Sequence, residues 1–170
     1  MLRILRKIFQ VGTVTERVGT AENPIEVLGA QLGDTVRKRF QGSLAIRQVD
    51  AGSCNGCELE IHALNNPYYD LERFGIHFVA SPRHADMLLV TGPVARNMET
   101  ALKMTYEAVP NPKLVLAAGD CAVCGGEFGC SYATVGQVSH VIPVDVLVHG
   151  CPPAPVDLIQ GILAAIGLKK

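Results

Sequence analysis

Six cysteines carry the chemical interest of this chain: Cys54, Cys57, Cys121, Cys124, Cys130 and Cys151. Each lies within two residues of Gly, Pro or a charged residue in loop-like sequence, which is where reactive or ligating thiols belong. Disulfides are the first reading to weigh. They suit small secreted domains, and the opening residues lack the continuous apolar stretch of a secretory signal. Inert buried thiols suit one or two positions at most. Metal ligation remains, in two arrangements. Cys54-Asn-Gly-Cys57 and Cys121-Ala-Val-Cys124 form two C-x-x-C pairs, the pattern of a four-thiolate zinc site. Their separation is much longer than a compact zinc knuckle uses. Alternatively Cys54, Cys57, Cys121 and Cys151 ligate one iron–sulfur cluster. Cys151 is followed by Pro152-Pro153, and a proline after a ligating cysteine recurs in ferredoxin motifs. Either choice leaves two thiols over, and six cannot complete two four-thiolate clusters.

The elements that position these thiols follow from hydrophobic pattern. Short β-branched runs predict strands at Leu44–Val49, Ile76–Ala80, Met87–Thr91, Lys113–Ala118 and Val144–Val148. They are predominantly apolar rather than alternating, as strands covered on both faces are. Helical stretches fall between them at Glu58–Asn65, Met98–Val109 and Pro155–Ile166. This alternation predicts a three-layer α/β domain with a parallel sheet. Asp50-Ala-Gly-Ser-Cys54, Gly119-Asp-Cys121 and His149-Gly-Cys151 each follow the carboxyl end of a predicted strand. In an open α/β sheet those ends form one edge, where ligands bind. Gly52, Gly119 and Gly150 permit tight turns beside the sulfurs. Gly92-Pro93-Val94 follows the Met87–Thr91 strand and forms a wall of the same site. Cys124 and Cys130 are then spare thiols, and four thiolates from separate loops suit a cluster better than a zinc finger.

Residues 1–43 form a helical extension to a domain over 44–170. Leu2, Leu5, Ile8 and Phe9 share one face of an amphipathic segment, with Arg3, Arg6 and Lys7 opposite. Such a segment is a terminal helix or a foot on a partner or membrane surface. Asn23-Pro24-Ile25-Glu26 reads as a helix start, with Asn23 as cap and Glu26 closing a capping box. Ile25, Leu28, Leu32, Val36 and Phe40 continue it, weakened by Gly29 and Gly33. The formal net charge is −1, so no global basic field points to nucleic acid. No apolar run reaches the roughly 18 residues of a membrane span.

Several motifs together resemble one family. They are Asp50-Ala-Gly-Ser-Cys-Asn-Gly-Cys-Glu-Leu-Glu-Ile, Glu72-Arg-Phe-Gly-Ile, Ser81-Pro-Arg-His-Ala-Asp, Gly119-Asp-Cys121 with Gly125-Gly126, and Val141-Ile-Pro-Val-Asp followed by Gly-Cys151-Pro-Pro. The family is that of the 20 kDa subunit of respiratory complex I, which includes the small subunits of membrane-bound [NiFe] hydrogenases. The resemblance covers roughly residues 44–168 and is nearest the energy-converting, formate hydrogenlyase-type branch. Complex I subunits carry two adjacent cysteines at the first motif, whereas Asn-Gly separates Cys54 from Cys57 here.

The resemblance implies a flavodoxin-like fold and one [4Fe–4S] cluster on Cys54, Cys57, Cys121 and Cys151. It implies an electron-transfer subunit of an oxidoreductase complex, with no complete active site of its own. Its partners would be a large subunit holding a Ni–Fe site, a ferredoxin-like iron–sulfur subunit and membrane subunits, with no nucleic acid. Its location would be cytoplasmic, peripheral on the inner face of the cell membrane. An equivalent subunit of a complex I-like quinone oxidoreductase is the alternative, and a zinc-stabilised α/β binding module is a third. Glu58 and Glu60 read as an acidic first helical turn or as groups that tune the site. His62 and His84 read as surface or partner contacts, Tyr68 and Tyr69 as packing. Arg83 and Arg96 are expected in loops near the ligand edge.

Overall fold

The computed structural model describes residues 2–12 and 24–168. The Asn23 cap and the side chains of Leu2 and Ile8 lie outside the described residues. Five parallel strands form the central sheet: β1 (Leu44–Asp50), β2 (Ile76–Phe78), β3 (Met87–Thr91), β5 (Leu114–Ala118) and β7 (Val146–Val148). Their spatial order is β2-β1-β3-β5-β7. This is the doubly wound order of flavodoxin-like domains, with the reversal between β1 and β3. Strands β4 (Val94–Ala95) and β6 (Thr134–Gly136) form a small antiparallel pair beside it, which the hydrophobic pattern did not predict.

Helices cover both faces of the sheet. Met87 and Leu89 join a core with Leu32 and Val36 of α2 (Pro24–Phe40), Ile61 of α3 (Gly56–Ala63) and Leu158, Ile159 and Ile162 of α6 (Pro155–Leu168). Leu88 and Val90 face the other way. They pack with Leu102 of α4 (Arg96–Ala108) and Ala122 of α5 (Asp120–Cys124). The apolar strand runs thus follow from two buried faces at period two. Full burial of each large aliphatic contributes about 1.5–3 kcal/mol.

Predicted and observed elements differ mainly at their ends. Strand β2 stops at Phe78 rather than Ala80, and β7 starts at Val146 rather than Val144. Asp86 and Asp145 explain how two strands begin. Asp86 Oδ2 accepts a hydrogen bond from Ala45 N at 3.0 Å, and Asp145 Oδ2 accepts one from Val115 N at 2.8 Å. Each carboxylate takes a ladder position that would otherwise lack an acceptor at the sheet's amino edge.

Helix α2 belongs to the same core as the sheet, although its sequence lies in the expected extension. Gly29 has a packing reason. A Cβ at Gly29 would overlap the Phe74 ring. Glycine costs helix propensity there but admits the ring, a case of tertiary contact overriding local preference. A further helix, α1 (Leu2–Val11), precedes it.

Candidate metal centre

Three loops at the carboxyl edge of the sheet bring four thiols together. Cys54, Cys57, Cys121 and Cys151 line one recess with Ser53, Gly56, Gly92, Asp120, Gly150 and Pro152. The recess lies where β1 and β3 diverge, at the switch point of the strand order. Its volume is about 90 Å³, several times the ~10–15 Å³ that one water-sized occupant requires. Cys57 is buried, Cys121 half-buried, and Cys54 and Cys151 exposed. Cys124 and Cys130 are exposed and do not line the recess. Among the described residues, no three Cys, His, Asp or Glu side chains converge as a single ion would require.

Each loop is shaped by its own hydrogen bonds. After β1, Asp50 Oδ1 accepts from Gly52 N and Ser53 N, both at 2.8 Å, closing a tight turn. Asn55 then adopts a left-handed conformation with φ 72°, and α3 starts at Gly56 with Cys57 in its first turn. The loop after β5 is clasped to the loop after β7. Gly119 N donates to Val148 O at 2.8 Å and Asp120 N to Gly150 O at 2.9 Å. In return Gly150 N donates to Asp120 Oδ1 at 3.0 Å. Asp120 therefore ties the Cys121 loop to the Cys151 loop across 30 residues of sequence. A cis peptide bond joins Cys151 to Pro152.

Gly119 brings the backbone close to a sulfur. Its φ of 89° and ψ of 153° lie in a region essentially reserved for glycine. A Cβ there would sit 2.5 Å from Cys57 Sγ. Gly126 plays the same part beside Cys121, where a Cβ would sit 2.8 Å from Sγ. Cys57 and Cys121 thus each meet bare backbone on one side, in a cradle that a side chain there would fill.

Charge in this cradle runs against free thiolates. Burial pushes the Cys57 thiol up to about 12, helped by the charge of Glu58 and then by the other three thiols. Burial also raises Cys121, followed by Cys151 and Cys54. At Cys57 and Cys121 the neutral thiol is favoured over the free thiolate, and a cationic group shared by the recess would offset that. The donor set is all sulfur, which selects soft metals and iron–sulfur clusters.

Other expected residues fall in different places. Glu58 is 5% exposed, which a surface acidic turn would not be. Thr91 Oγ1 at the end of β3 donates to Glu58 Oε1, while Oε2 has no hydrogen-bond partner in the structure. Arg83 and His84 precede β3, so they lie at the amino edge, opposite the cysteines. This corrects the expected place of Arg83. Arg96 does lie at the carboxyl edge, but it donates to Tyr132 O at 3.0 Å and Ser131 O at 3.2 Å. It thereby anchors the loop that carries Cys130. His62 is exposed, Glu60 half-exposed, and Tyr69 packs against the core while Tyr68 is exposed.

Sequence reasoning passed over Asp120 and Thr91. The Gly119-Asp-Cys121 triplet hinted at the first, since Asp is a strong turn former. Nothing local marked the second.

Comparisons with known proteins agree with this architecture. The model of a family described as NADH ubiquinone oxidoreductase, 20 kDa subunit, matches residues 54–165. A probable membrane-bound hydrogenase subunit of Pyrococcus furiosus is 49% identical over 118 residues, covering 69% of this chain and 71% of that one. Formate hydrogenlyase subunit 7 of Escherichia coli is 42% identical over 141 residues, 83% of this chain. The match spans 55% of that longer relative. Among solved structures, a chain of a membrane-bound sulfane sulfur reductase, an archaeal respiratory membrane complex, superposes with TM-score 0.66. It is 38% identical and covers 81% of this chain and 75% of its own. A chain of an NAD+-reducing [NiFe]-hydrogenase shares the fold at TM-score 0.52 and 18% identity, covering 70% of this chain and 92% of its own.

Proposed function

This chain belongs to the NADH ubiquinone oxidoreductase 20 kDa subunit family, and from that premise we propose that it is the electron-transfer subunit of a membrane-bound hydrogenase complex. It carries one [4Fe–4S] cluster on Cys54, Cys57, Cys121 and Cys151. It passes electrons to or from a Ni–Fe site held by a large partner subunit, with a ferredoxin-like subunit and membrane subunits in the same assembly. The observation that carries this reading is the convergence of those four thiols, and no other cysteine, on one recess.

The cluster would supply reversible one-electron transfer when bound. The chain's own residues do the rest. Four thiolates hold the group from three loops. Asp120 keeps two of those loops in register, and Asp50 shapes the third. Backbone at Gly119 approaches Cys57 Sγ closely, and backbone at Gly126 approaches Cys121 Sγ. The buried side of the recess, at Cys57, faces the core, while Cys54 and Cys151 remain open to a partner. The recess and the all-sulfur donor set drawn from three separate loops favour a cluster over a lone zinc ion, which usually takes its ligands from compact local knuckles.

Cys54 and Cys57 are separated by Asn-Gly, which favours the hydrogenase branch over a complex I-like quinone reductase. The sulfane sulfur reductase relative favours a second reading, in which the same relay serves a different terminal reductase. Two of the relatives are described as membrane-bound, and among the described residues no helix is long and apolar enough to cross a membrane. We place the chain peripherally on the inner face through its partners.

Anaerobic purification followed by metal analysis tests the reading. We expect about four irons per chain and an EPR signal on reduction. Stoichiometric zinc without iron would sink it. Cys151→Ser should lose the cluster while Cys130→Ser keeps it; retention in both shows that the ligand set is wrong. Co-purification with a large subunit bearing two C-x-x-C nickel motifs separates hydrogenase from the other terminal reactions.

A further inference from the structure

We propose that α1 lies in the plane of an anionic lipid surface, so that this chain touches the membrane itself as well as through partner subunits. The inference goes beyond the relay reading and does not rest on it. At 100° per residue, Ile4, Leu5, Phe9 and Val11 span about 160° of the helix circumference. Arg3, Arg6, Lys7 and Gln10 fill about 100° of the opposite side. Both halves are open. Ile4 is 66% exposed, Leu5 52%, Phe9 87% and Val11 52%, and the three cationic residues are exposed as well. The apolar face is therefore presented outward rather than packed on the body of the chain.

A helix this short is marginal in water unless a surface takes up its apolar face. The charge pattern says which surface. Residues 2–11 hold three cations and no carboxylate, and the first acid in the sequence is Glu16. A protein groove would be matched by mixed polar contacts. A cation-only polar face opposite Phe, Leu and Ile is the pattern of helices that bury their apolar side at the headgroup boundary. Basic side chains beside it attract anionic headgroups, which give the cytoplasmic leaflet of cell membranes its negative surface potential.

Flotation of the full chain with vesicles tests this. One set is phosphatidylcholine alone, the other phosphatidylcholine with phosphatidylglycerol. We expect binding to the anionic set to exceed binding to the neutral set by roughly 10²-fold at low salt, the increment of three cations at a charged surface, and to weaken as salt rises. Leu5→Asp with Phe9→Asp should abolish binding to both sets. Arg3→Gln with Arg6→Gln and Lys7→Gln should remove the anionic preference. All variants should keep wild-type iron content and circular dichroism, since α1 is remote from the thiols in sequence and its described side chains are all exposed. Equal binding to neutral and anionic vesicles overturns the proposal. So does a wild-type chain that stays with neither set, the result expected of a helix that docks on protein. Iron content reports on the relay reading separately, so failure of one is distinguishable from failure of the other.

Discussion

Gly119→Ala probes the cradle most directly. The residue sits at φ 89° and ψ 153°, where any side chain costs about 1–3 kcal/mol of backbone strain. The added methyl would sit 2.5 Å from Cys57 Sγ, closer than packed atoms allow. Cys57 is buried and Gly119 N is held by Val148 O at 2.8 Å, so neither side yields freely. Overpacking of this kind costs a further ~1–3 kcal/mol. The sum is about 2–6 kcal/mol, a fall in Tm of very roughly 5–20 °C for a chain of this length. Urea denaturation and thermal melting of the metal-free chain measure it, and iron per chain after anaerobic reconstitution measures the effect on the site. Gly167→Ala is the control. It lies in α6 with nothing within 4 Å of its added Cβ, so it should be neutral or stabilise by up to ~1 kcal/mol. The double variant Gly119→Ala/Cys57→Ala should recover the clash portion and leave only the strain. Wild-type stability and full iron in Gly119→Ala would refute the claim that backbone at this position packs against the sulfur.

Further outcomes follow from the same geometry. In the metal-free chain Cys57 keeps its proton to about 12, whereas an unfolded thiol titrates near 9.0; the folded state therefore binds more protons in between. Stability should be full below pH 9 and fall as pH rises toward 12, with Cys121 adding in the same direction; a flat or rising urea midpoint over that window contradicts the burial of these thiols. Asp120→Ala removes the acceptor of Gly150 N and should cost about 1–2 kcal/mol, with iron loading reduced more than by Asp34→Ala on the exposed face of α2. Thr91→Val deprives Glu58 of its one observed donor in a buried setting. It should destabilise by ~1–3 kcal/mol, and the additional change Glu58→Leu should restore part of that loss in a thermal melt.

Much of the fold was legible in the sequence because its signals are local. Met87–Val90 is apolar at every position and reads as part of a doubly covered strand, and every residue of Met87–Thr91 is buried. The cysteine loops were legible for a related reason. A parallel α/β sheet sends every strand's carboxyl end to the same edge, so Cys54, Cys121 and Cys151 share an edge once the strands are recognised. The antiparallel pair β4–β6 was not legible, since two- and three-residue strands leave no period to detect.

What the sequence by itself determined is the order of elements, the sulfur-only donor set and the edge on which the thiols fall. These depend on spacing and hydrophobic period, which are properties of contiguous residues. Only the tertiary structure decided which groups surround the site. Asp120 meets Gly150 across 30 residues, and Thr91 meets Glu58 across 33. Arg83 falls on the far edge because it precedes its strand, and Gly29 earns its place from a ring 45 residues away. Such contacts arise from how packed layers bring distant segments together, and no local pattern encodes them.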